Sequence, residues 1–174
     1  MPYVNVSDEQ RLTFLNFVDK GKTVHMAFRS WDLVEYPSLP VTKKHTWIVK
    51  TTTNLEKPRY VIIAFQTNKK NNVQSDMSQF NHCNISNVKL HLNSESYYAK
   101  ENQPILSKVQ FRDEAPIIVI DCSRQSEAIR SSSVDIRIEL EASETFKADT
   151  TAYALILHDA LVEYNPLTGL VRRI

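Results

Sequence analysis

The chain has 174 residues, with 21 lysines and arginines against 20 aspartates and glutamates, a formal net charge of +1 and a mean hydropathy of −0.35. This length supports one substantial core rather than two independent ones. The near-neutral balance lacks the basic excess of a nucleic-acid-binding domain, since Lys43-Lys44, Lys69-Lys70 and Arg172-Arg173 are isolated pairs.

Apolar runs such as Val61-Ile62-Ile63-Ala64-Phe65 are far too short to cross a bilayer. The first eight residues show no basic stretch followed by an apolar one, so no secretory leader is expected and the cytosol is the default site of synthesis. Cys83 and Cys122 are then expected as reduced, buried thiols, and the sequons Asn5-Val6-Ser7 and Asn84-Ile85-Ser86 as silent.

Residues 1–21 read as a helical lead-in. Ser7 is placed to cap the helix with Gln10 three positions on, Leu12, Leu15 and Val18 form an inward stripe, and Gly21 stops it. A strand over residues 12–18, favoured by two phenylalanines, is the competing reading. From residue 22 to 174 the pattern is that of one domain made of strands. Val24, Met26 and Phe28 alternate with Thr23, His25 and Ala27, and Pro37-Ser38-Leu39-Pro40 forces a corner. Residues 42–53, rich in threonine with Trp47, Ile48 and Val49, suit a pleated surface, which residues 54–58 break.

Residues 59–66 are apolar on both faces and predict a central strand, followed by a long exposed loop over residues 67–79 anchored by Met77 or Phe80. In the next strand Cys83, Ile85, Val88, Leu90 and Leu92 keep period two except at Ser86-Asn87, where a bulge or a junction of two short strands is expected. Tyr97 to Phe111 is poorly periodic and reads as a connection. A compact strand follows at residues 116–122, then a polar excursion over residues 123–133.

The clearest signal is Val134-Asp-Ile-Arg-Ile-Glu-Leu-Glu-Ala142, which alternates apolar and charged residues and predicts a strand with one buried and one wet face. Another strand spans residues 151–162, and Asn165-Pro166-Leu167-Thr168-Gly169 is a turn with Leu170 and Val171 beyond it. Seven to nine strands joined by loops of unequal length predict an all-β fold, an antiparallel β-sandwich of jelly-roll type with a short N-terminal helix.

Residues able to carry chemistry are scattered. Gly21 and Gly169 are the only glycines, so the glycine-rich phosphate loops are absent. Five histidines, His25, His45, His82, His91 and His158, show no metal-ligand spacing with the two cysteines, and neither a metal nor a cofactor is expected. Ser123 is outside a nucleophile elbow and Cys122 lacks a motif-defined base. His158 and Asp159 fall on opposite strand faces, and Glu139 and Glu141 share a wet face with Arg137; no catalytic residue is nominated. Trp31 and Trp47 are expected in the core, because a large aromatic loses most by staying wet. If exposed, they would serve with Tyr97 and Tyr98 as ligand or interface aromatics.

The stretches 26–31, 45–51, 56–67, 81–84, 87–95, 119–123, 151–158 and 163–169, among them His45-Thr-Trp-Ile-Val-Lys-Thr51 and Glu163-Tyr-Asn-Pro-Leu-Thr-Gly169, carry a family resemblance. The chain resembles the double jelly-roll-like proteins of arthropod genomes, which are similar to major capsid proteins of Polinton-like and adintovirus-like elements. The resemblance touches nearly the whole chain, corresponds to the C-terminal jelly roll, and shows a connection between Glu95 and Ala115 shorter than the family pattern.

It implies a structural, capsid-like assembly protein or a domesticated derivative, acting by packing without catalysis. It also implies self-association, as a trimer or with a second jelly-roll domain, with loops 68–79 and 123–133 contacting neighbours, no membrane and no specific nucleic-acid partner. The expected location is the host cytoplasm or nucleus, or the virion where the capsid role is retained. The alternative is a carbohydrate-binding jelly-roll module built on Trp31, Trp47, Tyr97 or Tyr98.

Overall fold

The computed structural model describes residues 5–49, 58–70, 72–93, 95–98, 106–124 and 134–173. Among the described residues nine strands and two helices follow in chain order: α1 (Asp8–Asp19), β1 (Val24–Tyr36), β2 (Lys44–Val49), β3 (Pro58–Thr67), β4 (Ile85–Leu92), β5 (Glu95–Tyr98), α2 (Lys108–Asp113), β6 (Ile118–Asp121), β7 (Ile136–Ala142), β8 (Thr150–Asn165) and β9 (Leu170–Arg173). They form two sheets. One has the order β1-β8-β3-β6, with β9 also paired to β8, and the other has the order β2-β7-β4-β5.

The order explains itself as a ribbon. The first strand lies beside the eighth, the second beside the seventh, the third beside the sixth and the fourth beside the fifth, as in a long hairpin wound up so that β8 also meets β3 and β7 also meets β4. That winding is the jelly roll. The strands β1 to β4 and β5 to β8 alternate between the two sheets, and the pairings of β2 with β7, β3 with β6 and β8, β4 with β5 and β7, and β8 with β9 are antiparallel.

The chain clusters into two compact units, residues 30–158 and residues 1–29 with 159–174. In the larger unit the inner faces of the sheets make the core. Val61, Ile63 and Phe65 of β3, Ile120 of β6 and Ile156 of β8 belong to one cluster with Leu90 and Leu92 of β4, Ile136, Ile138 and Leu140 of β7, and Trp47 and Val49 of β2. Large and small residues alternate across it: Phe65 stands opposite Ala152 and stacks on Phe146 at 6.2 Å between ring centroids. Each fully buried Leu, Ile or Phe contributes roughly 1.5–3 kcal/mol relative to exposure.

Expectation and structure agree where periodicity was strong. In β7, Ile136, Ile138, Leu140 and Ala142 are buried while Arg137 is exposed. In β3 both faces are at least partly covered. The expected irregularity of β4 is a register shift between Ile85 and Asn87.

Other expectations are corrected. The capped helix is present, with the Ser7 hydroxyl accepting from the Gln10 N–H, but none of its residues is buried, and Leu12 and Leu15 face solvent instead of forming an inward stripe. Met77 is exposed, so its side chain anchors nothing; the loop is held by its backbone, the Met77 carbonyl accepting from Gln66 Nε2 at 2.7 Å. The stretch read as a featureless connection contains β5, paired to β4, and α2, whose Ser107 and Gln110 form a reciprocal capping box. The parts of the expected strand and loop at residues 50–57 and 125–133 lie outside the described residues.

The smaller unit holds α1, the first residues of β1, the last of β8, and β9. Among its described residues only Ala160 is buried. The turn before β9 is built by Asn165, whose Oδ1 accepts from the N–H groups of Leu167 and Thr168, and by Gly169 at φ +68°, a left-handed conformation that costs other residues a steric penalty.

Candidate functional site

The two sheets of the larger unit differ on their outer faces. On the β2-β7-β4-β5 sheet the outward face is mostly polar and ion-paired, apart from the exposed Ile48 and Tyr98. Lys44 Nζ donates to Glu141 Oε1 at 2.7 Å, Arg137 Nη2 lies 3.6 Å from Glu139 Oε1, and Lys89 is opposite Glu139 on the neighbouring strand. Such a face is satisfied by water and by cross-strand pairing.

The outer face of the other sheet is largely apolar, with Glu35 of β1 ion-paired to Lys70 at one edge. Core-facing positions on β3 are Val61, Ile63 and Phe65, on β8 Ala152, Ala154 and Ile156, and on β6 Ile118 and Ile120; strand alternation therefore sends Ile62, Leu155 and Val119 outward. Register places them in one row, with Ile62 opposite both Leu155 and Val119. A second row joins Tyr60 to Leu157. On β1, beside β8, Val34 and Tyr36 pack against the core, so Trp31 and Leu33 point away from it and are 67% and 63% exposed.

A sheet apolar on both faces is the pattern of a sheet meant to be covered on both sides, and contiguous exposed apolar surface of this sort marks an interaction site. Periodicity alone signalled it in β3 and β8, where residues 60–66 and 151–157 carry no charge.

The four aromatics singled out from sequence are divided by the structure. Trp47 is a core residue, 4% exposed, meeting the Tyr36 ring edge-on at 5.9 Å. Tyr97 leans on the core, its hydroxyl donating to Glu95 Oε2; burial first, and then that carboxylate, push its pKa well above the ordinary tyrosine value. Tyr98 is exposed on the opposite sheet from Trp31, with Lys89 Nζ 5.7 Å from its ring centroid. Trp31 corrects the core expectation. Its polar neighbours in sequence point inward with the core face, and on its own face it has Leu33.

The ionisable groups that meet on this face are the Glu35–Lys70 ion pair at 2.9 Å. Cys83 and Cys122 are both free thiols. Burial, with the Asp121 charge second, pushes the Cys122 thiol up to about 12, opposite to the shift that activates a nucleophile. His158 is buried, its Nδ1 4.0 Å from Asp32 Oδ2. His45 is driven below its ordinary pKa by burial. Among the described residues no group of three or more histidines, cysteines and carboxylates is placed to hold a metal ion, and no helix is long and apolar enough to cross a membrane.

Outside that face, the smaller unit has its own uncovered apolar residues, including Leu12, Leu15, Met26, Phe28, Leu170 and Val171. With a single buried residue it has no core of its own.

Comparison with curated proteins finds no similar sequence. A family profile described as the double jelly roll-like domain matches residues 1–99 and 95–162. With the wound-ribbon strand order and a match over most of its length, the chain belongs to the double jelly roll-like domain family.

Proposed function

We propose that the protein is a structural subunit of a capsid-like assembly, or a domesticated derivative of one, similar to the major capsid proteins of Polinton-like and adintovirus-like elements and to their relatives in arthropod genomes. It acts by packing and carries no catalytic centre. The observation that carries this reading is the apolar outer face of the β1-β8-β3-β6 sheet, where Trp31, Leu33 and Val119 are exposed and Leu155 is half-buried among the described residues. Its occupant is a second jelly-roll domain, on another copy or on another chain. Covering a Leu or Trp side chain there returns roughly 1.5–3 kcal/mol each, and closed symmetric assembly repeats that gain at every subunit.

The test is light scattering over a range of protein concentrations with electron imaging of the particles. The expected result is a concentration-dependent shift to trimers or larger closed particles, abolished by Leu33→Asp with the far-ultraviolet circular dichroism unchanged. A wild-type protein that stays monomeric across the range would overturn the reading.

A sugar-binding module is favoured less. The exposed Trp31 supplies one aromatic ring, but Tyr98 is on the other sheet and Trp47 and Tyr97 lean on the core, so no platform of rings forms. Binding on a glycan array, lost in Trp31→Ala, would reverse that preference.

A further inference from the structure

At the end of the sandwich where β4 begins and β7 finishes, a cleft of about 550 Å³ is lined by His82, Asn84, Ile85, Ser86 and Ser143 on one side and by Lys108, Val109, Phe111 and Arg112 of α2 on the other. Its size is within the range of small-ligand sites. All of these residues belong to the larger unit.

Its polar inventory is one-sided. No carboxylate lines the cleft. Ser86 and Ser143 already donate their hydroxyl protons, to the carbonyls of Glu141 and Asn84, and the Asn84 amide donates to Glu144 Oε2. Arg112 uses Nε and Nη2 on the Asp113 carboxylate, which leaves Nη1. His82 Nδ1 accepts from the Asn84 N–H at 3.0 Å, so in the neutral ring the proton sits on Nε2. Lys108 makes no ion pair among the described residues. Lys108 and Arg112 are four apart and share one face of α2. The charged side chains that line the cleft are therefore cationic, Lys108 Nζ and Arg112 Nη1 being uncommitted among the described residues, above the apolar side chains of Ile85, Val109 and Phe111.

The walls are pre-formed. The capping box fixes the start of α2, and Asn84, at φ +50°, has its carbonyl accepting from both the N–H and the hydroxyl of Ser143.

We propose that this cleft binds a monomeric anionic amphiphile, a single carboxylate or phosphate head with a short acyl body. The head meets Lys108 Nζ and Arg112 Nη1, and the body lies on Val109, Phe111 and Ile85. This site is independent of the sheet face on which assembly is proposed.

Calorimetric titration tests it, with decanoate, decyl phosphate and decyltrimethylammonium, each below its micelle concentration. Decanoate and decyl phosphate are expected to bind at one site at least tenfold more tightly than the cationic analogue, and more weakly as salt is raised. Lys108→Glu should lower that affinity at least tenfold, and Arg112→Gln severalfold, with unchanged thermal unfolding because both side chains are on the surface. Leu33→Asp, on the sheet face, should leave it unchanged. Equal binding of the cationic analogue, indifference to Lys108→Glu, loss with Leu33→Asp, or binding only to anionic vesicles would each overturn the proposal.

Discussion

Ile62 of β3 stands directly opposite Leu155 of β8 on the sheet face that points away from the core. Each is only half-buried, although both inner neighbours of Ile62, Val61 and Ile63, are completely covered. Aliphatic side chains paired in this way contribute little to the isolated fold beyond cross-strand contact, which makes the apolar residues at outward positions on three strands a statement about what the sheet meets.

Val119 extends that row onto edge strand β6 and is 52% exposed. Val119→Asp should leave monomer stability within about 0.5 kcal/mol, as for most surface changes, while shifting the association midpoint to higher concentration. Urea unfolding and concentration-dependent scattering read the two effects separately; a large loss of stability with unchanged association would contradict this account of the face.

Ile138 is fully buried between Trp47 and Leu90 on the neighbouring strands. Ile138→Ala should cost about 2–5 kcal/mol, the transfer loss plus the cavity left behind. Ile48, on the outer face of β2 and 65% exposed, should cost about 0.5 kcal/mol or less when changed to Ala. Equal unfolding midpoints for the two variants would refute the assigned strand phase.

The Glu141 carboxyl is held below its ordinary pKa, first by the hydrogen bond from Lys44 and then by that ammonium charge. A carboxylate depressed in this way contributes stability above its unfolded pKa of about 4.3, and the contribution is lost as pH falls through the lower folded value. The pair is solvent-exposed and screened, so its readout is the titration itself. In Lys44→Met, the Glu141 side-chain carbon resonance should titrate at higher pH than in the wild type; an unmoved midpoint would disprove the pairing.

The two thiols should differ in reactivity. With Cys122 completely buried and its pKa pushed up to about 12, Ellman's reagent at pH 8 should label it only as fast as the protein unfolds, while Cys83, raised less and partly accessible, reacts first. The raised Cys122 pKa contributes stability that is complete below about pH 8.5, the unfolded thiol value, and is lost as pH climbs toward the folded one. Native-state labelling of Cys122 at the rate of a free thiol would be inconsistent with this burial.

Ser107→Ala removes one half of the capping box of α2 and should cost about 1 kcal/mol of helix stability. Hydrogen exchange of the amides in residues 108–113 should accelerate, with those of β3 unaffected. The signal was present in the sequence: Ser107-Lys108-Val109-Gln110 has the spacing of a capping box. Six residues offer too few turns for a helical apolar stripe to emerge beside it. Strand β5 was hidden for a similar reason, since four residues alternating Glu95, Ser96, Tyr97, Tyr98 give period two almost nothing to act on.

The residues alone determined the strands whose side chains must choose between water and a core. Ile136, Ile138 and Leu140 set beside Arg137 and Glu139 can be satisfied in one orientation only, and β7 was legible for that reason, whereas β3 and the long part of β8 were legible as short apolar runs. What they could not determine is which uncovered faces remain after the ribbon is wound. Trp31, Leu12 and Leu15 read as core residues because hydrophobicity states a preference for burial without saying what provides it. Only the pairing of β1 with β8 and of β2 with β7, contacts between segments far apart in the chain, turns Trp31 to an outer face and Trp47 into the core. The tertiary structure likewise brings Lys108 and Arg112 across from Ser143 to make a cleft from segments that share no sequence pattern.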